Sequence, residues 1–234
     1  MSLDATTIYR EHPDKYHDLV MAEDCDRQLI SAIEARHELD GAKVLEVGAG
    51  TGRITSQLLE RGAQVEAFEK EEAMLKVADR YLAGFESARY ELRQADARSL
   101  PVADDWADVA IAGWVFGHFR YWLPDDWRQE IGAAIEELDR ALVDGGVGII
   151  IETLGTGEEK PAPPEGLREY YDWLENERGC TPEVIRSDYL FDDVATAAET
   201  MGFFFGAAIE ERVRAEGSSR IPEVTGLWWW RRGR

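Results

Sequence analysis

Short apolar runs and helical-period stripes alternate along the first two thirds of this chain. Val44-Leu45-Glu46-Val47, Gln64 to Phe68, Ala88 to Leu92, Trp106 to Gly113 and Val147 to Glu152 have strand length and strand-like apolar content. Between them, Arg53 to Arg61 (closed by Gly62), Ala73 to Leu82 and Asp125 to Leu142 read as helices. In the last of these, Ile131, Ala134, Ile135, Leu138 and Leu142 recur at helical spacing, and Asp144-Gly145-Gly146 ends it. Strands alternating with helices at this interval predict βαβ units and a parallel sheet. Upstream, Leu19, Val20, Leu29, Ile30 and Ile33 make Tyr9 to Leu39 a helical N-terminal cap.

Past residue 155 the pattern is less regular. Gly155 to Gly166 is a Gly/Pro/Glu loop. Leu167 to Glu177 reads as a helix whose Tyr170, Tyr171 and Trp173 belong either to the core or to a substrate pocket. Asp192 to Met201 is a further helix, closed by Gly202. Phe203-Phe204-Phe205 and Ile209 to Val213 predict a sixth strand, Gly217-Ser218-Ser219 a turn, and Val224 to Trp230 a seventh strand. Trp228-Trp229-Trp230 suits a strand buried on both faces, or one that offers a Trp face to a partner subunit.

Composition narrows the function classes. A chain of 234 residues with 44% hydrophobic residues can bury a sizeable core as one α/β unit. Its net charge of −21 disfavours nucleic acid and anionic membrane as partners, because both require a basic surface. No apolar run reaches the roughly 20 residues of a membrane span. Met1 to Tyr9 lacks the basic and apolar regions of a secretory signal. Cys25 and Cys180 are far apart, which predicts free thiols in a reducing cytoplasm. His12, His17, His37 and His118 show no metal-ligand spacing, so no metal is expected.

The candidate chemistry gathers at the end of the first strand. Gly48, Gly50 and Gly52 let the backbone turn sharply and approach a ligand, and the helix opening at Arg53 aims its first N–H groups there. A dinucleotide fingerprint, G-x-G-x-x-G, wants its third glycine one position later, where Arg53 stands. Glu46, two residues before the first glycine, would repel a pyrophosphate and suits an amino group. Glu69 closes the second strand about 20 residues after the first glycine, where a βαβ unit places an acid on ribose hydroxyls.

The pattern E-x-G-x-G-x-G resembles motif I of the class I S-adenosylmethionine-dependent methyltransferases, small-molecule type. Trp106 to Gly113 resembles motif II and Leu142 to Gly146, L-x-x-G-G, resembles motif III, so the resemblance covers about residues 40 to 155. It implies that Glu46, Gly48, Ala49, Gly50, Thr51 and Gly52 hold the methionine end of S-adenosylmethionine (S-adenosylhomocysteine after transfer). Glu69, Lys70 and Met74 would sit by the ribose, and Asp96 and Ala97 by the adenine. Gly113 and Trp114 would border both cofactor and acceptor. Tyr9 and Tyr16-His17-Asp18-Leu19 look like the stretch that folds an aromatic, here Tyr16, over the methionine end. His118 follows motif II; it is a general base or an orienting residue.

The expected fold is α/β, a doubly wound seven-stranded mostly parallel sheet of order 3-2-1-4-5-7-6 with helices on both faces. One domain is expected over 1-234: a helical cap (1-40), a cofactor-binding core (41-155), and an acceptor-side insert with a terminal hairpin (156-234). The expected activity is methyl transfer to a small-molecule acceptor by a cytoplasmic monomer or homodimer. Protein or RNA methylation, a non-catalytic cofactor-binding module and an NAD-dependent dehydrogenase are the rivals. The segment after motif II lacks the N/D-P-P-Y/F/W of amino-methylating DNA methyltransferases.

Overall fold

A computed structural model describes residues 5–233; Met1 to Asp4, the start of the segment read for a secretory signal, and Arg234 lie outside it. Strands β1 (Lys43–Val47), β2 (Gln64–Glu69), β3 (Tyr90–Gln94), β4 (Ala107–Gly113), β5 (Leu142–Thr156), β6 (Thr181–Arg186) and β9 (Glu223–Arg231) form one sheet of order β3-β2-β1-β4-β5-β9-β6. The two-residue strands β7 (Tyr189–Leu190) and β8 (Arg220–Ile221) pair separately. Counted over the main sheet alone, this is the expected order 3-2-1-4-5-7-6. The pairs from β3 through β5 are parallel, and β9 runs antiparallel to both β5 and β6.

The central strands are apolar on both sides because both faces are covered. Val44, Val109, Ile111, Val147, Ile149 and Leu227 share one cluster with α3 (Gln28–Glu34) and α4 (Arg53–Glu60). Leu45, Val47, Ala110, Ala112 and Ile150 share the other with α7 (Trp127–Ala141) and α8 (Arg168–Asn176). Parallel register brings the carboxyl ends of the strands level: Val47 lies opposite Phe68 and Ala112, and Gly113 opposite Ile151. The N-terminal segment forms α1 (Ala5–Glu11), α2 (Pro13–Ala22) and α3, and α1 and α2 pack on α5 (Glu72–Leu82).

Two segments differ from expectation. Phe203 to Val213 is helical, not a strand. Helix α9 (Val194–Phe205) starts on an Asp193 side chain that accepts from Thr196 N at 2.8 Å and runs through Gly202. Gly206, at φ +92°, turns the chain into α10 (Ala207–Glu216), where Arg214 pairs with Glu210 and Arg212 with Glu216 at i,i+4 spacing. The missing bulk of the sixth strand is supplied by Thr181–Arg186. It is an edge strand with Pro182 near its start and one face exposed, so it needs few apolar residues. Asp144-Gly145-Gly146 lies inside β5, because α7 stops at Ala141 and Leu142 already pairs with Ala107.

The three consecutive tryptophans are covered on both faces. The Trp228 indole donates to Glu175 at 3.0 Å and stacks on Tyr171, Arg36 lies over the Trp229 ring, and Trp230 lies over Gly148. A Cβ on Gly148 would meet the Trp230 ring at 2.1 Å, so that glycine is the space the indole occupies.

Candidate active site

The carboxyl ends of β1, β2 and β4 open into a cavity of about 360 Å³, within the size range of small-molecule sites. Of the residues singled out from sequence, Tyr16, Gly48, Gly50, Glu69, Lys70, Met74, Asp96, Ala97, Gly113, Trp114 and His118 line it. Glu46, Ala49 and Thr51 line a small adjoining recess that shares Tyr16, Gly48, Gly50, Gly113 and Trp114 with the cavity. Gly52 lines neither; it starts α4 at φ +90° and packs on Leu82.

The glycine turn is fixed from β2. Gly48 N and Ala49 N donate to Phe68 O at 2.7 and 3.0 Å. Gly48 has φ +74°, and a Cβ there would lie 2.2 Å from Val115 Cγ2. At Gly50 a Cβ would meet Tyr16 and Met74 at 3.6 and 3.8 Å, ordinary contact distances, so it is the φ of +56° that asks for glycine there.

Glu69 accepts three backbone hydrogen bonds on one carboxylate. Oε2 accepts from Gly50 N at 2.9 Å, and Oε1 accepts from Lys70 N and Glu71 N at 2.7 and 2.9 Å. Burial raises its pKa against the pull of those three N–H groups. A carboxylate offers about four lone-pair positions, so one remains on Oε2 for a ligand hydroxyl. Asp96 is held differently. Arg98 grips it through Nε and Nη2 at 2.7 and 2.6 Å and through its own backbone N–H at 3.0 Å, and Lys70 lies 3.8 Å away. Those hydrogen bonds hold Asp96 ionised, with a pKa lowered to about 2. The same Arg98 also reaches Glu130 on α7.

Over the cleft lie α1 and α2. Tyr9 meets His118 Nε2 with its hydroxyl at 3.0 Å and stands edge-on to Tyr16 with ring centroids 5.1 Å apart. His118 stacks on Trp122 at 4.9 Å. Burial pushes its pKa down to about 4, so the imidazole is neutral at pH 7. Tyr9, Thr6, Arg10, Phe68, Val115 and Trp122 also line the cavity. None was singled out as a ligand contact from sequence; Tyr9 alone carried a signal there, in the aromatic stretch before motif I. Trp114 sits at φ +54°, an uncommon conformation for a bulky residue, with Arg53 4.7 Å from its ring. Among the described residues no group of His, Cys, Asp and Glu could hold a metal, and no helix is long and apolar enough to cross a membrane.

The donor set suits an adenosyl amino acid: acids for hydroxyl and amino groups, bare glycine backbone beside them, and aromatic rings above. Residues 45–150 match the family described as a methyltransferase domain. An uncharacterized methyltransferase of Geobacillus kaustophilus is 30% identical over 153 residues, 63% of this chain and 66% of that protein. The ribosomal RNA small subunit methyltransferase A of Anaeromyxobacter sp. is 45% identical over 70 residues, 30% of this chain and 22% of that protein. Among solved structures, the phosphoethanolamine N-methyltransferase 2 of Haemonchus contortus, in complex with phosphomonomethylethanolamine and S-adenosylhomocysteine, superposes with a TM-score of 0.55. It is 16% identical and is matched over 83% of this chain and 49% of its own. The chain thus spans less than two thirds of each of these three proteins.

Proposed function

We propose that the chain is a class I S-adenosylmethionine-dependent methyltransferase, a reading supported by the methyltransferase-domain match over residues 45–150, that it moves the cofactor's methyl group to a small-molecule acceptor, and that a neutral amine is the acceptor atom. The cofactor brings an electrophilic methyl carbon on a sulfonium, so the protein's share is binding, alignment and exclusion of water. Glu69 takes a ribose hydroxyl on its remaining lone pair, Asp96 and Ala97 flank the adenine, and Gly48 and Gly50 give the methionine end its room.

The observation that carries the small-molecule reading is the roof. Tyr9 and Tyr16, from helices of the chain's own N-terminal segment, close the cavity against His118. A net charge of −21 argues in the same direction, against RNA as the acceptor. The amine reading rests on His118. A buried neutral imidazole already engaged by Tyr9 is a weak base for a hydroxyl acceptor, whereas an amine lone pair attacks unaided and loses its proton after transfer.

Calorimetric titration with S-adenosylhomocysteine and, separately, NAD tests the cofactor half. Micromolar binding of the former, lost in Glu69→Ala and Asp96→Ala, is expected; binding of NAD alone would overturn the proposal. Transfer of labelled methyl to paired amine and hydroxyl acceptors tests the rest. Methylation confined to hydroxyls would reject the amine reading.

A further inference from the structure

A second concavity lies at the other end of the sheet. From Ile151, opposite Gly113 of the candidate active site, to Val147, opposite Arg231, strand β5 covers about 13 Å. At that far end Asp139, Arg178, Trp229, Trp230, Arg231 and Arg232 line a groove of about 610 Å³, within the size range of small-molecule sites.

The charge in this groove runs against the rest of the chain. The protein carries a net charge of −21, and nearly every arginine is answered by an acid. Among the described residues, only Arg89, Arg178 and Arg231 of the arginines have no carboxylate oxygen within 4.0 Å. Two of those three line the groove. Arg231 donates to carbonyl oxygens, from Nη1 to Gly145 O at 3.2 Å and from Nη2 to Arg36 O at 3.0 Å, which fixes the guanidinium without neutralising it. Arg178 lies over the Trp173 ring at 5.6 Å and has no side-chain hydrogen bond among the described residues. Asp139, the acid among the lining residues, accepts from Trp230 Nε1 at 2.6 Å, and Arg232 is turned to Asp105.

Two unanswered guanidiniums match a dianion, and their planar donors suit phosphate oxygens. A phosphate monoester carries close to two negative charges at pH 7. The half-buried indoles of Trp229 and Trp230 add a flat apolar wall on which a ring can stack. A long polyanion would meet the repulsion of the whole acidic surface, whereas a small dianion feels the charges within a Debye length of about 8 Å. We propose that this groove is a second binding site, separate from the methyl-transfer cleft, for a small phosphate monoester carried on a flat ring. The site is independent of what the cleft transfers.

The test titrates phenyl phosphate, inorganic phosphate and phenol into the protein with S-adenosylhomocysteine in excess, and follows the indole N–H resonances. Phenyl phosphate is expected to shift Trp229 and Trp230, and to leave Trp114 and Trp122 of the cleft unmoved. It should bind about 2- to 10-fold more tightly than inorganic phosphate, through stacking of its ring, and phenol should not bind. Arg178→Gln is expected to weaken phenyl phosphate about 10- to 100-fold, as for a lost charged hydrogen bond, with Arg178→Lys between. Arg178 has no side-chain hydrogen bond to break, so both variants should fold. Arg168→Gln removes the same charge from outside the groove and should leave binding within about threefold. Four results would each overturn the proposal: shifts confined to Trp114 and Trp122, no shift at all, equal weakening by Arg178→Gln and Arg168→Gln, or inorganic phosphate binding as tightly as phenyl phosphate.

Discussion

Replacing Glu69 by Gln keeps the size of the side chain and removes its charge and one acceptor. The amide has one oxygen for the three N–H groups that now converge on the carboxylate from two sides. Facing Lys70 N and Glu71 N, that oxygen keeps two bonds, and the new NH₂ is turned toward Gly50 N, donor against donor. One charge-assisted bond is lost, worth about 1.5–3 kcal/mol, and the other two become neutral ones. Burial already raises the pKa of Glu69, so removing the charge recovers part of a desolvation cost. The expected net destabilisation is therefore about 1–2 kcal/mol, or about 2–8 °C in Tm for a chain of this size. The effect on ligand is larger. The remaining lone pair on Oε2 becomes an N–H, so a ribose hydroxyl loses a charged acceptor, and S-adenosylhomocysteine should bind about 10- to 100-fold more weakly. Calorimetry and thermal unfolding at one pH measure both effects. A Kd within threefold of wild type would refute the ribose role of Glu69; an unchanged Tm would refute its bracing of the glycine turn.

Gly48→Ala places a Cβ 2.2 Å from Val115 Cγ2 at φ +74°; urea unfolding should show a loss of about 2–4 kcal/mol, and adding Val115→Ala should recover the packing share and not the backbone share. Burial raises the pKa of Glu152 to about 8, above an unfolded value of about 4.3. The folded state therefore holds a proton that the unfolded state releases, and stability falls as pH rises between those values, by up to about 1.4 kcal/mol per unit. His118, with its depressed pKa, acts in the opposite sense below about 6.5. The Tm advantage of Glu152→Gln over wild type should accordingly grow from pH 6.5 to 8, and a constant difference would contradict this reading. His118→Gln should lower kcat on an amine acceptor by less than about tenfold, and kcat/KM of the wild type should show no inflection near pH 6.5; a loss of about 10³-fold would make His118 the base.

The glycine-turn side of the candidate site was legible in the sequence because its geometry is written by backbone. Gly48 is required by positive φ and close approach, Gly50 by positive φ, and Glu69 by the end of a strand whose register is set by a hydrophobic run. Those constraints are local, so spacing along the chain carries them. The strand order is what the resemblance to class I methyltransferases implied, and the sheet has it. The C-terminal third obeyed no such rule. Phe203-Phe204-Phe205 has the composition of a strand, and its helical state is decided by the Asp193 cap upstream and by packing of Gly202 against Glu210, where a Cβ would come within 2.6 Å of Oε2. For α10 the i,i+4 charge pairs of Arg214 with Glu210 and Arg212 with Glu216 were the available signal for helix, while in α9 Phe203 and Phe204 are only half-buried and Phe205 is exposed.

Tyr16 over the cleft was expected from the stretch before motif I, but the contacts that fix this roof were hidden for a related reason. Tyr9 reaches His118 across 109 positions, and Arg53 reaches Glu23 from a neighbouring layer. Such contacts depend on how the N-terminal helices settle on the sheet, and no periodicity encodes that. The consequence for function is asymmetric. The proposed cofactor contacts can be argued from spacing, whereas the proposed acceptor side depends on a few long-range side-chain meetings, and His118 shows how much one such meeting changes. Taken from sequence it is a general base or an orienting residue, with an ordinary imidazole pKa. Placed under Tyr9, beside Trp122 and away from solvent, it is a neutral ring whose proton affinity has dropped, which is why the acceptor proposed above is a nucleophile that needs no base.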